Sequence, residues 1–209
     1  MRVACYVDGF NMYHALDALD KPKLKWLNLK TLASTFLRDG DELVATYYFT
    51  AVHTHDPKRC QRHKRYIDAL EAVGVTVIQS KFQSVDRYCK RSDRSCPFLE
   101  EKQTDVALAT TLLADALEGL IDRAILISAD SDHVPVVRMV QAKRPLVQLT
   151  LAPPPNRLQN ARDLGSYIQD RKEVNVGRIE RCLLPRSVYK ANGKLAATCP
   201  AAYGGEGKD

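Results

Sequence analysis

Acidic side chains stand where apolar runs of this chain end or helical runs begin. Asp8 closes the run VACYVDGFN, Asp105 opens KQTDVALATTLLADAL, and Asp130 and Asp132 close AILISADSD. A carboxylate at the end of a buried strand, or in the first turn of a helix, is a poor core residue. It is a good ligand for a hard divalent cation, Mg²⁺ or Mn²⁺, which takes oxygen donors. Clustered carboxylates repel one another unless a cation neutralises them. A bound ion lowers the pKa of a coordinated water and stabilises charge on a phosphoryl oxygen, which is what phosphodiester hydrolysis requires. Each acid also has a plainer role. Asp8-Gly9 suits a turn, Asp105 suits a helix dipole, and Asp130-Ser131-Asp132 suits a helix cap. Asn11 either contacts a phosphate or metal-bound water, or caps a helix.

Basic residues cluster at 58–65, with Lys58, Arg59, Arg62, Lys64 and Arg65, and at 87–94, with Arg87, Lys90 and Arg91; a third cluster spans 171–186. With Lys102 beside Asp105, the first two offer phosphate contacts, which give affinity with little sequence information. Cys60, His63, Cys89 and Cys96 form a candidate tetrahedral zinc set. The spacing between Cys89 and Cys96 is looser than a zinc knuckle, and free thiols are the plainer account. Cys5 lies in an apolar run and packs as a small hydrophobe. His53 and His55 form a pair without a clear third ligand. His133 either tunes the acids or packs at a helix start. The chain has no P-loop, no G-x-G-x-x-G turn and no G-x-S-x-G elbow.

The elements that must position these groups alternate. Runs at 3–8, 43–52, 75–82, 124–129 and 146–152 read as strands, being rich in β-branched and aromatic residues. Helical patterns fall at about 11–19, 28–38, 57–73, 104–119, 132–143 and 160–169. Alternation predicts a doubly wound, three-layer α/β fold with a mainly parallel sheet and helices on both faces. Such folds bind ligands outside the carboxyl ends of their strands, where Asp8, Asp130 and Asp132 fall. Asp105 joins them if its helix starts at the same edge. Residues 86–103 read as a polar, basic insertion, a lid or substrate clamp. The tail from about 198 reads as partly disordered.

With 209 residues and 45% hydrophobic content, the chain can bury a substantial core. Its net charge of +6 is compatible with an anionic partner such as nucleic acid. No apolar run approaches a membrane span and no signal peptide is evident, so a cytoplasmic location is expected. A homodimer is an allowed assembly. Six cysteines in such a context do not suggest a disulfide scaffold.

YVDGFN at 6–11, EKQTDVALA at 101–109 and ISADSDHVPVV at 127–137 together resemble the NYN domains of the PIN-like nuclease superfamily, in particular the LabA-like group. The resemblance covers roughly residues 2–152, and LPRSVYKANGKLAATCP at 184–200 resembles the C-terminal extension of bacterial members. It implies a Rossmann-like PIN fold over residues 1–155 and an extension over 156–209 packing on it. It also implies Mg²⁺- or Mn²⁺-dependent ribonuclease activity. Asp8, Asp105, Asp130 and Asp132 match the acidic pocket, Asn11 its accompanying polar residue, and Glu101-Lys102 a Glu-Lys pair before the helix. Ala129 stands where the family usually has Gly, and His133 where an apolar residue is common. The function expected is a metal-dependent endoribonuclease on single-stranded or structured RNA. The alternatives are a non-catalytic RNA-binding or regulatory module that keeps the pocket, and a metal-dependent phosphatase on a small phosphoester.

Overall fold

The first strand, β1 (Arg2–Asp8), shows how this sequence divides itself between two cores. Its alternate side chains point to opposite faces. Val3, Cys5 and Val7 enter one buried cluster, and Ala4 and Tyr6 enter another. Asp8 continues the second series, so its carboxylate emerges on the Ala4/Tyr6 face at the strand's end. The computed structural model describes residues 1–52, 56–89 and 93–204, excluding the side chains of 83–87, 89 and 96–101.

Helix α1 (Gly9–Asp17) follows β1 directly, and then come α2 (Leu29–Ser34), β2 (Glu42–Ala51) and α3 (Pro57–Ala72). The chain continues through β3 (Thr76–Cys89), β4 (Arg94–Lys102), α4 (Thr104–Leu117), β5 (Arg123–Ile127) and α5 (Val134–Lys143). After β6 (Gln148–Leu151) come α6 (Arg162–Tyr167), β7 (Asp170–Arg171), α7 (Val176–Glu180), β8 (Ser187–Tyr189) and β9 (Leu195–Thr198). Seven strands form one sheet in the order β4-β3-β2-β1-β5-β6-β7. All neighbours are parallel except β3 and β4.

Leu16, Leu29, Leu32 and Leu70 from α1, α2 and α3 cover one face of the sheet. Leu108, Leu112, Val136, Val137 and Val140 from α4 and α5 cover the other. This is the three-layer α/β architecture expected. The strand order reverses direction between β1 and β5, and in open parallel sheets that crevice is where ligands bind.

Most described residues of the segment 86–103, the polar, basic insertion, lie in β3 and β4. The segment forms most of an antiparallel hairpin, paired from Lys81 with Lys102 to Cys89 with Arg94. Its sequence lacks the alternating apolar pattern by which a half-buried strand is recognised, so the pairing was hidden. The hairpin extends past Ala51, the end of β2, which pairs with Ser80. It returns at Lys102 to the carboxyl edge of the sheet. There Gln103 takes a left-handed conformation (φ 77°) and turns the chain into α4.

Residues after 155 also belong to the sheet, since β7 is its seventh strand. The β8–β9 hairpin packs on α3 through Val188, Ala197 and Leu184, with Trp26 and Ala69. Trp26 Nε1 donates to the Pro185 carbonyl at 2.9 Å. Residues 198–204, the described part of the tail, close β9 and form a turn at Ala201–Tyr203. Among the described residues no helix is long and apolar enough to cross a membrane.

Candidate metal centre

Gly9 allows the strand-to-helix turn that presents Asp8. A Cβ there would lie 2.5 Å from the Phe49 carbonyl and 2.6 Å from the Tyr48 ring. Asp8 is buried and caps α1, its Oδ1 accepting from the Asn11 amide at 2.9 Å. Its Oδ2 accepts from Ser128 Oγ at 2.8 Å, across the switch point. Ser128 Oγ in turn accepts from the Asp130 amide at 3.0 Å. Asn11 Oδ1 accepts from the Ala129 amide at 3.2 Å, tying α1 to the loop after β5. Ala129 is not among the residues with positive φ, so its replacement of the family's Gly carries no backbone strain.

Asp105 lies in the first turn of α4 and is exposed. His133, which precedes α5, is fully buried, with Nε2 3.5 Å from Asp8 Oδ2 and 3.9 Å from Asp105 Oδ1. Among the described residues, neither ring nitrogen of His133 has a hydrogen-bond partner. Asp8, Asp105 and His133 each offer a ligand atom, and these lie within 4.8 Å of one another. Partial burial raises the Asp105 carboxyl above its ordinary pKa, as do the charges of Asp8, Asp130 and Asp132, while His133 opposes. Burial alone would lower His133, but Asp8, Asp105 and Asp130 outweigh it and raise it.

A cavity of about 310 Å³ opens beside these groups. Asp8, Asn11, Asp105 and Asp130 line it with Phe10, His14 and Arg157. Asp130 is half-buried, and its Oδ1 accepts from the Asp132 amide at 3.0 Å. Asp132 is exposed and outside that lining, acting on Asp105 through its charge. Burial and the charge of Arg59 hold His14 below its ordinary pKa, with Asp17 opposing. Arg157 follows Asn156, a left-handed residue (φ 59°) after the three prolines that lie beyond β6.

The sequence reading found the acids and left His133 undecided between packing and tuning. It missed Ser128, His14 and Arg157. Ser128 had a weak signal, a hydroxyl at a strand end beside two acids. Arg157 had none, because its loop is brought back to the cavity by tertiary packing.

Lys58, Arg59, Arg62, Lys64 and Arg65 lie on α3, and Lys102 ends β4. Arg87 lies in β3 with its side chain outside the described set, and Lys90, Arg91, His53 and His55 lie outside the described residues. Of the candidate zinc ligands, Cys60 is a free thiol and His63 Nε2 lies 3.1 Å from Thr50 Oγ1. The side chains of Cys89 and Cys96 are outside the described set.

A mainly parallel α/β sheet with carboxylates and a buried imidazole at its switch point defines a candidate metal-centred site. Residues 2–169 match the NYN domain family, and the chain belongs to it. That membership is consistent with the PIN-like nuclease superfamily. The chain is 25% identical over 185 residues to the 6-hydroxy-3-succinoylpyridine 3-monooxygenase HspA of Pseudomonas putida. That match covers 87% of this chain and 58% of the relative, so the chain spans less than two-thirds of the relative's length. Among solved structures it is similar to a protein of unknown function from Vibrio parahaemolyticus, at 20% identity and a TM-score of 0.55. That likeness covers 88% of this chain and 96% of the other and supports the fold alone.

The donor set suits a divalent ion. Two carboxylates suit a hard divalent ion, and an imidazole suits a first-row transition ion. The buried nitrogens of His133 fit this, since Nε2 faces two carboxylates but forms no hydrogen bond among the described residues.

Proposed function

We propose that the chain is a divalent-metal-dependent ribonuclease that hydrolyses RNA phosphodiester bonds at the acid-lined cavity. The observation that carries this reading is the convergence of Asp8, Asp105 and His133 at the switch point of the sheet. Family membership supports the nuclease class. Asp8, Asp105 and His133 would hold the ion, and Asp130 and Asp132 add negative charge beside it. When bound, Mg²⁺ or Mn²⁺ supplies a Lewis acid and a water of lowered pKa.

The chain's own groups then bind and orient. Asp130, on the cavity wall, accepts a hydrogen bond from the attacking water. Ser128 and Asn11 hold Asp8 and the loop after β5 in place. Arg157, also in the cavity lining, receives the phosphate, and the basic residues of α3 with Lys102 receive the flanking backbone. The test is cleavage of a single-stranded RNA in Mn²⁺ by wild type and by Asp130→Asn, with circular dichroism as the check on folding. Loss of cleavage in a folded variant is expected. Equal cleavage by both, or none by wild type, would sink the reading.

The relative named as a monooxygenase favours a second reading, in which the cavity serves chemistry on a small aromatic molecule. An aromatic-lined pocket beside the acids is compatible with it. Consumption of a hydroxypyridine by the purified chain, with no RNA cleavage, would favour this second reading.

A further inference from the structure

A second cavity adjoins the acidic one, and Phe10 borders both. Tyr13, Tyr48 and Tyr66 line it, and Tyr203 from the C-terminal segment closes it. The described lining contains Lys25 and Arg59 but no carboxylate. Arg59 Cζ lies 5.2 Å from the Tyr13 ring centroid, and Lys25 Nζ lies 4.9 Å from it. Lys25 is also paired with Asp17, whereas the Arg59 guanidinium forms no ion pair with a described residue.

The two cavities have opposite chemistry. The acidic one attracts cations. Its neighbour has aromatic faces, which stack on planar rings, and a guanidinium, which attracts an anion. A planar ring attached to a phosphate satisfies both features at once. The connection between the cavities is short, because Phe10 lies two residues after Asp8 and is 42% exposed.

We propose that this aromatic pocket receives one unpaired nucleobase of the RNA strand, next to the phosphate held at the acidic cavity. The proposal rests on the ribonuclease reading and names how that site selects its substrate. Phe10 is the divider over which the strand bends. Tyr13 stacks on the base, and Arg59 takes the phosphate on the pocket's side. Cleavage is then confined to single-stranded or bulged positions, because a paired base cannot enter.

Binding is measured without turnover, in EDTA, by titrating the full chain with nucleoside 5′-monophosphates, ribose 5-phosphate and nicotinate and following tyrosine ring signals by NMR. Expected are binding of at least one mononucleotide, none of ribose 5-phosphate at the same concentration, and shifts confined to the pocket tyrosines. Phe10→Ala and Tyr13→Leu should each weaken that binding roughly tenfold or more. Phe10 is exposed, so its variant isolates the contact from folding. Absence of mononucleotide binding at millimolar concentration, equal binding of ribose 5-phosphate, or tighter binding of nicotinate would overturn the proposal. RNA cleavage without base binding would remove the pocket proposal and leave the ribonuclease reading. Base binding without cleavage would do the reverse.

Discussion

His133 Nε2 lies 3.5 Å from Asp8 Oδ2, joining the start of α5 to the end of β1 across the point where the strand order reverses. This pair closes the candidate metal centre from behind, since both residues are buried while Asp105 faces solvent. An imidazole thus completes a site that the sequence marked only by its acids.

If His133 is a ligand, His133→Gln should weaken Mn²⁺ binding by roughly ten- to hundredfold, as lost metal-site contacts typically do. Asp105→Asn should do the same. Isothermal titration with Mn²⁺ reads both. An unchanged affinity in His133→Gln would make the imidazole a counter-ion to the acids instead.

Gly9→Ala tests the turn that presents Asp8. The added methyl meets the Phe49 carbonyl and Tyr48 ring well inside contact distance, so α1 must move away from β2. A destabilisation of about 1–3 kcal/mol is expected, as for other overpacked sites. Mn²⁺ affinity should fall with it, because Asp8 and Asn11 flank the displaced residue. Chemical denaturation and metal titration on the same sample check both. A variant of wild-type stability would refute the packing argument.

Two Arg–Asp pairs should differ in their worth. Arg123 is fully buried against Asp41 and also approaches the Phe36 carbonyl, whereas Arg2 and Asp122 are both substantially exposed. Asp41→Ala leaves a guanidinium buried without its counter-charge, and should lower Tm by roughly 10 °C. Asp122→Ala should shift it by no more than about 2 °C. Thermal melts of the two variants decide, and equal shifts would contradict the ranking.

Acid should destabilise the fold through His63. Burial, with the charge of Arg59, pushes its pKa down to about 4. The unfolded chain therefore binds a proton near pH 6.5 that the native state refuses until about 4. Stability is fully present above pH 6.5 and is lost as pH falls toward 4, by on the order of 3 kcal/mol. His63→Gln, which can keep a contact to Thr50 without titrating, should flatten that part of the urea-midpoint profile. An unaltered slope would assign the loss to other groups.

Much of this fold was legible because its signals are local. Apolar runs of strand length in β1 and β5, and the helical period of the apolar residues in α4, are local patterns. Asp8 and Asp130 fall at strand ends that those periods mark, so their edge of the sheet followed as well. The hairpin of β3 and β4 was not legible, since its polar arm carries no alternating apolar pattern.

By itself the sequence determined the α/β class, the acidic residues and their place at strand and helix ends, because these depend on neighbours in the chain. Only the tertiary structure decided which of them meet. Asp105 reaches Asp8 because the hairpin returns to the carboxyl edge before α4 begins. His133 joins them because α5 packs on the same face as α4. Arg157 arrives from beyond β6, and Tyr203 from the segment after β9. Contacts over such separations are set by how layers pack, which no local period records.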